Sequence, residues 1–161
     1  RAERKGWNTA MKEHEGRGPG RILSVNVSDA KGQKKHNIGK CLLVKGLGFE
    51  GDAHAGTPIR QVSLLAKESI QKIWDKGLKV QYGDFAENFT TEGLILHTLP
   101  VGTRLRIGEK VLVELTQIGK VCHDRCAIFH QVGDCVMPRE GVFVEVIIGG
   151  EVSVGDTIRM A

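Results

Sequence analysis

Two stretches, "GTRLRIGEKVLVELTQIG" (residues 102–119) and "GVFVEVIIGGEVSVGDTIRM" (141–160), alternate β-branched or aliphatic residues with polar ones and break at glycines every few positions. A period of two cannot be satisfied by a helix, whose apolar residues must recur at three and four. The runs are short, and glycines stand where strands turn or bulge. The earlier stretches "RILSVNVS" (21–28) and "GKCLLVKGLGFEGD" (39–52) read the same way. Twenty-one glycines distributed in this manner predict a mostly β fold, a closed barrel of short strands. One main helix is expected, from about Ala66 to Lys76, where Ala66, Ile70, Ile73 and Trp74 form a single apolar face and Gly77 supplies the stop. Ser63 to Leu65 leads into it as a strand. Any further helices are expected to be short.

A chain of 161 residues is the size of one domain and long enough to bury a core without staples. The opening "RAERKGWNTAMKEHEGRGPG" has little apolar periodicity and closes on glycines and a proline. Residues 1–19 are therefore expected to form an arm or linker, with room for a short helix from Asn8 to Glu15, and residues 20–161 the domain. The formal charge of +4 is shared between the two: residues 1–20 hold five Lys or Arg against three Glu, leaving 18 against 16 in the rest. That near balance, with aromatics at only 5% and no zinc-finger spacing, argues against a nucleic-acid reader. No apolar run approaches the roughly 20 residues of a spanning helix, and nothing resembles a secretory leader. Four unevenly placed cysteines do not make a disulfide framework. The expectation is a soluble cytoplasmic protein with no membrane partner.

Three constellations carry chemistry. In "GFEGDAHAGTPIRQVSLL" (48–65), Asp52 and His54 sit on a glycine-flanked loop between two strands, and Arg60 opens the next strand, placed to meet an anion. In "GDFAENFTTEGL" (83–94), Glu87, Asn88, Thr90 and Thr91 are framed by Phe85, Phe89 and Leu94. Asn88 and the threonines read either as turn and cap residues or as neutral hydrogen-bonding groups for an amide-rich ligand such as a pterin or purine.

The third stretch, "KVCHDRCAIFHQVGDCVMPREGVF" (120–143), crowds Cys122, Cys126 and Cys135 beside His123, His130, Arg125 and Arg139. A structural zinc site would need a second ligand pair, here only His123 or His130. A disulfide from Cys122 to Cys126 or Cys135 is open to an oxidised sample but opposed by a reducing compartment. A reactive thiolate, favoured by Lys120, His123, Arg125 and Arg139, is the third reading. Spacing does not say which thiol is activated. Cys126 precedes the apolar "AIF" and Cys135 follows Asp134, and both surroundings disfavour a thiolate.

Taken in order, these elements resemble the MOSC domains, named for the C-terminal domain of molybdenum-cofactor sulfurases, over about Gly20 to Arg159. "GFEGDAHAG" is similar to the family's Gly-Asp-x-His-Gly-Gly loop, with Ala55 where glycine is usual. "RQVSLLAKESI" resembles its strand-to-helix step, "FAENFTTEGL" its Glu-Asn-x-Thr segment, "VGTRLRIG" a barrel strand, and "GKVC" the site of its cysteine, with Val121 where proline is common. The likeness is greatest to small stand-alone prokaryotic members. The resemblance implies a barrel with a pocket for the molybdenum cofactor (molybdopterin) and maps the family cysteine onto Cys122, as a molybdenum ligand or a carrier of sulfane sulfur as a persulfide.

Two function classes follow. In one, an enzyme or sulfur-transfer factor, Cys122 is the catalytic thiol and His54, Arg60, Asn88, Thr90 and Arg139 hold the cofactor. In the other, the domain is a non-catalytic cofactor binding and delivery module; a small zinc-binding domain is a further alternative. The implied partners are the cofactor, a sulfur donor such as a cysteine desulfurase, or a molybdoenzyme. No lysine context specific for a Schiff base is present, so pyridoxal phosphate would belong to a partner desulfurase.

Overall fold

A computed structural model describes residues 17–30, 33–53, 55–56, 61–119 and 136–161. The strands are β1 (Arg17–Val27), β2 (His36–Asn37), β3 (Lys40–Val44), β4 (Gly48–Phe49), β5 (Val62–Ala66), β6 (Phe89–Leu94), β7 (Arg104–Ile107), β8 (Val111–Ile118), β9 (Val142–Ile148), β10 (Gly150–Ser153) and β11 (Thr157–Met160). Two helices, α1 (Lys67–Trp74) and α2 (Met137–Glu140), and a 3-10 turn at Leu96–Thr98 complete the described elements. Strand accounts for 47% and helix for 12% of these residues, so the mostly β expectation holds.

Seven strands close on themselves in the order β1-β6-β5-β9-β8-β7-β11, and β11 returns to β1 through Gly20 opposite Ile158 and Arg21 opposite Thr157. The pairs are antiparallel except β5 with β6, whose crossover carries α1. A parallel pair needs such a connection, because a tight turn cannot bring the second strand back in the same direction. The sequence "SLLAKESI" therefore switches from period two to helical period at the point where the barrel topology requires it. The helix ends two residues earlier than expected. Asp75, Lys76 and Gly77 finish it as a tightening turn, Gly77 N–H donating to the Trp74 carbonyl.

The barrel interior is filled by alternate residues of each strand, among them Val62 and Leu64, Leu105 and Ile107, Val113 and Leu115, and Val144 and Val146. Phe49, from a small outer sheet ordered β10-β3-β4, reaches the same core and lies 5.9 Å from the Phe89 ring. On β1 the spacing is irregular: Ile22 and Val25, three apart, both enter the core. A register shift against β6 between Ile22 and Ser24 absorbs the extra residue. It leaves Ser24 and Asn26 free to join a polar cluster described below.

A second apolar layer lies outside the barrel wall. Leu65, Ile70, Ile73, Val80, Phe85, Val136, Met137 and Phe143 pack together, so α1 and α2 share one hydrophobic bed. Trp74 Nε1 donates to the Val80 carbonyl at 2.8 Å and ties the segment after α1 back onto it. Ile70 and Ile73 are fully buried, whereas Gln71 between them faces solvent. We expect Ile70→Ala to destabilise the domain by about 2–5 kcal/mol, the usual cost of emptying such a site. Gln71→Ala should change stability by less than about 0.5 kcal/mol; chemical denaturation of both variants checks the assignment of the buried face.

Candidate functional site

The Asp52 loop is built from below. Asp52 Oδ1 accepts from Lys35 Nζ at 2.6 Å and from the Ser28 amide at 3.1 Å, and Lys35 Nζ also donates to Ser28 Oγ at 2.9 Å. Both charged side chains are closed to solvent. Burying two ions costs several kcal/mol of hydration before their attraction is counted, so the pair serves geometry more than stability. It fastens the loop to the end of β1, and the amides of Ala53 and Gly56 add bonds to the carbonyls of Ser28 and Leu47. Ala55, where the resembled motif has glycine, needs no glycine here. The one described non-glycine residue at positive φ is Ala86, so Ala55 has an ordinary backbone. His54 and residues 57–60, including Arg60, lie outside the described residues.

Asn88 and Thr90 are brought together on the outer wall, where they begin a strand. Asn88 Oδ1 accepts from the Ser63 amide at 3.0 Å and from Ser63 Oγ at 3.2 Å, while Nδ2 donates to the Asn26 carbonyl at 3.3 Å. One side chain thus joins β5, β6 and β1. Thr90 Oγ1 accepts from Asn26 Nδ2 at 3.3 Å and donates to Glu87 Oε2 at 2.7 Å. Asn26, Glu87, Asn88 and Thr90 are within 1% of complete burial, and Ser63 is also buried.

Glu87 stands out within this cluster. It is delivered by Ala86, whose φ of 63° is a left-handed conformation costly for a residue with a Cβ. Its Oε1 is buried and has no hydrogen-bond partner among the described residues. Burial pushes the Glu87 carboxyl up to about 7, against the opposing bond from Thr90 and the nearby amides of Gly83, Phe85 and Glu87 itself. Those amides bias the carboxyl electrostatically without giving Oε1 a well-formed bond.

The third constellation is described at its two ends. β8 runs into Gly119, whose amide donates to the Gly141 carbonyl at 2.6 Å. Gly119 has φ +71°, and a Cβ there would collide with the Pro138 carbonyl oxygen. Only glycine allows the chain to leave β8 so close under α2. Val136 and Met137 anchor α2 in the outer apolar layer, and Arg139 projects from its exposed side. Glu140 points the other way and accepts from Ser69 Oγ at 2.8 Å and from Lys72 Nζ at 2.8 and 2.9 Å. Cys122, Cys126 and Cys135, with His123 and His130, lie in residues 120–135, outside the described residues. The chain on either side of them is held within one hydrogen bond.

The polar cluster and this stem share a wall. Ser63, which carries Asn88, pairs across β5 and β9 with Phe143, two residues past Gly141. The fourth cysteine, Cys41, is remote in chemistry: burial first, then the Glu151 charge, pushes its thiol up to about 12, against a bond from the Val152 backbone. Among the described residues no group of three or more His, Cys, Asp or Glu could hold a metal ion, and no helix is long and apolar enough to cross a membrane. Lys35, Ser69, Lys72 and Glu140 were not singled out by sequence reasoning. Each sits in a charged or polar run that reads as surface, and only its distant partner reveals it.

The Glu87 carboxyl has a signed consequence for stability. Below about pH 4.5 the folded and unfolded chains both hold its proton; as pH rises towards about 7 the unfolded chain loses it first, and stability falls until the folded carboxyl ionises. At about 1.4 kcal/mol per unit the loss is on the order of 3–4 kcal/mol at most. Glu87→Gln should flatten this decline, so that the variant gains on the wild type between pH 5 and pH 8 in urea denaturation.

A MOSC domain family model matches residues 51–159, from the Asp52 loop through the last barrel strand. Among solved structures, the YuaD protein from Bacillus subtilis is 18% identical with a TM-score of 0.71, over 86% of this chain and 93% of that one. YiiM from Geobacillus stearothermophilus is 19% identical with a TM-score of 0.66, over 89% and 75%. YiiM from Escherichia coli is 21% identical with a TM-score of 0.59, over 89% and 68%. At these identities the likeness concerns the fold. No curated protein matches the sequence. The family match covers most of the chain and all three constellations, and the seven-stranded barrel agrees with it: the chain belongs to the MOSC domain family, domains associated with the molybdenum cofactor.

Proposed function

We propose that this domain carries sulfane sulfur on Cys122 and works with the molybdenum cofactor, which Arg60, Arg139 and His54 would hold. The observation that carries the reading is the anchored stem, which binds Gly119 to Gly141 and mounts Arg139 on α2, on either side of the three-cysteine segment. The donor chemistry fits the group: a soft thiolate suits molybdenum or sulfur, and planar guanidinium groups suit a phosphate through paired hydrogen bonds. When bound, the cofactor would supply a metal centre able to accept sulfur. Asn88 and Thr90 are buried and their hydrogen bonds run to protein groups, which suits a supporting role in the wall rather than direct anion contact.

In the sulfur step Cys122 acts as a thiolate on the outer sulfur of a donor persulfide. Its electron pair forms the new S–S bond, the donor's S–S bond breaks, and the donor leaves as a thiolate; no net oxidation or reduction occurs. Lys120, His123 and Arg125 supply the local positive charge that favours the thiolate. A cysteine desulfurase is the fitting donor class, with pyridoxal phosphate confined to that partner, and a molybdoenzyme the fitting recipient; the reading places this chemistry in the cytoplasm.

Incubation with a small-molecule persulfide, followed by intact-mass and peptide-mass analysis, tests the step. Addition of one sulfur atom at Cys122 is expected, retained in Cys126→Ser and Cys135→Ser and reduced at least tenfold in Cys122→Ser. Full loading in Cys122→Ser would overturn the sulfur-carrier reading; cofactor binding retained without Cys122, together with no loading of the wild type, would favour the delivery module.

A further inference from the structure

On the wall formed by β11, β7, β8 and β9, the charged side chains that point away from the barrel are sorted by sign. Ile158, Leu105, Ile107, Val113 and Val146 fill the interior. Their alternate neighbours Arg159, Arg104, Arg106, Glu114 and Glu145 therefore face outward. The registers bring like charges together: Arg106 is directly opposite Arg159 across β7 and β11, and Glu114 is directly opposite Glu145 across β8 and β9. Side chains so paired stand about 5 Å apart at Cβ, and equal charges there repel. One ion pair joins the basic half to the acidic half, Arg104 Nε donating to Glu114 Oε1 at 3.1 Å. The remaining charges are not compensated. Arg106 donates to the uncharged Lys110 carbonyl, and neither Arg159 nor Glu145 has a side-chain hydrogen bond or ion pair among the described residues. Arg106 is also opposite Leu112, which pairs in turn with Ile148, a side chain left 41% exposed.

We infer that two copies of this chain meet through this face, the basic pair Arg106–Arg159 of each lying over the acidic pair Glu114–Glu145 of the other. A two-fold axis lying in the plane of contact, midway between the two pairs, produces the arrangement, because it sets the basic half of one copy on the acidic half of its partner. The face is thus complementary to itself, which is what an isologous interface requires. Within one chain the strand registers hold each like-charged pair together, so the repulsions persist; a second copy surrounds both pairs with opposite charge. Ile148, beside the buried Leu112, adds apolar area to the same contact. The main contacts of β7 and β11 are with neighbouring barrel strands, and Arg104 and Arg159 are exposed, so the face is open to a partner. A wholly acidic partner, protein or nucleic acid, matches it less well. Such a partner would be drawn to Arg106 and Arg159 but repelled by Glu114, one strand away on β8. None of these residues belongs to the sulfur-carrier reading, so the two stand independently.

Sedimentation velocity of the full 161-residue chain, from micromolar to submillimolar concentration, tests the contact. A monomer–dimer equilibrium is expected at low ionic strength, with its dissociation constant raised at least about tenfold in about 0.5 M salt, where exposed charges are screened. Two double variants reverse one half each, Arg106→Glu with Arg159→Glu and Glu114→Lys with Glu145→Lys. Each replaces one like-charged pair by another, so the balance within the monomer is little changed. Each is expected to be monomeric alone, and an equimolar mixture of the two to restore a dimer. A measurement on the wild type alone stands beside these: amide NMR signals of nitrogen-15-labelled protein that shift on dilution should fall on β7, β8, β9 and β11. A wild type that stays monomeric throughout at low salt overturns the proposal, as do dilution shifts confined to other strands. Reversed variants that dimerise like the wild type, or that remain monomeric when mixed, overturn it too. Binding of polyglutamate by a wild type that stays monomeric would assign the basic pair to an acidic partner instead.

Discussion

The antiparallel contact between β1 and β11 holds the architecture together, because it converts an open seven-stranded ribbon into a barrel. It joins residues 20–21 to residues 157–158, so nearly the whole described chain is enclosed between its two partners. Closing so long a loop is entropically costly and is offset only when the interior fills. Gly20 makes the contact sterically open. A Cβ there would collide with the Glu92 carbonyl oxygen and press on the Ile158 side chain at 3.1 Å. With both neighbours, β6 and β11, drawn against it, β1 loses its free edges, which would otherwise expose unpaired backbone groups.

Closure also divides the molecule chemically. The inside is apolar and sealed, with Ile22, Phe89 and Leu105 completely buried. A buried polar network is mounted on the outside of the wall, where the β1 irregularity turns Ser24 and Asn26 towards the Glu87–Asn88–Thr90 cluster. Two kinds of fastening meet there. The uncharged network around Asn88 fixes three strands to each other, while the ion pairs Lys35–Asp52 and Lys72–Glu140 fix loops and helices to the wall. Buried polar contacts of this sort contribute little net stability but penalise alternative arrangements, since each misplaced partner leaves a buried charge or dipole unpaid.

Much of the scaffold was legible along the chain. The alternation in "VLVELTQI" and "VFVEVII" appears as β8 and β9, and the apolar face of the 66–76 stretch is the face that α1 buries. The segment "FTTEGL" was harder. Its threonines match turn chemistry as well as strand chemistry, and what makes it a strand is the parallel partner β5, 25 residues away through a crossover. Of the candidate site, Asn88, Thr90 and Arg139 can be located in the described structure, while Cys122, His54 and Arg60 rest on the sequence and the family.

Local pattern determined the strands, the main helix and the residue types available for chemistry, because periodicity and glycine placement act over a few residues at a time. What tertiary structure decided was which polar groups are structural and which face outward. Lys35 in "KGQKKHN" and Glu140 in "MPREG" look like surface charges in sequence. They are buried because Asp52 lies 17 residues from the first, and Ser69 and Lys72 lie 71 and 68 residues from the second. Such pairings are settled only when the barrel closes and excludes water, since a charge finds a low-dielectric partner only where distant segments have already been brought together.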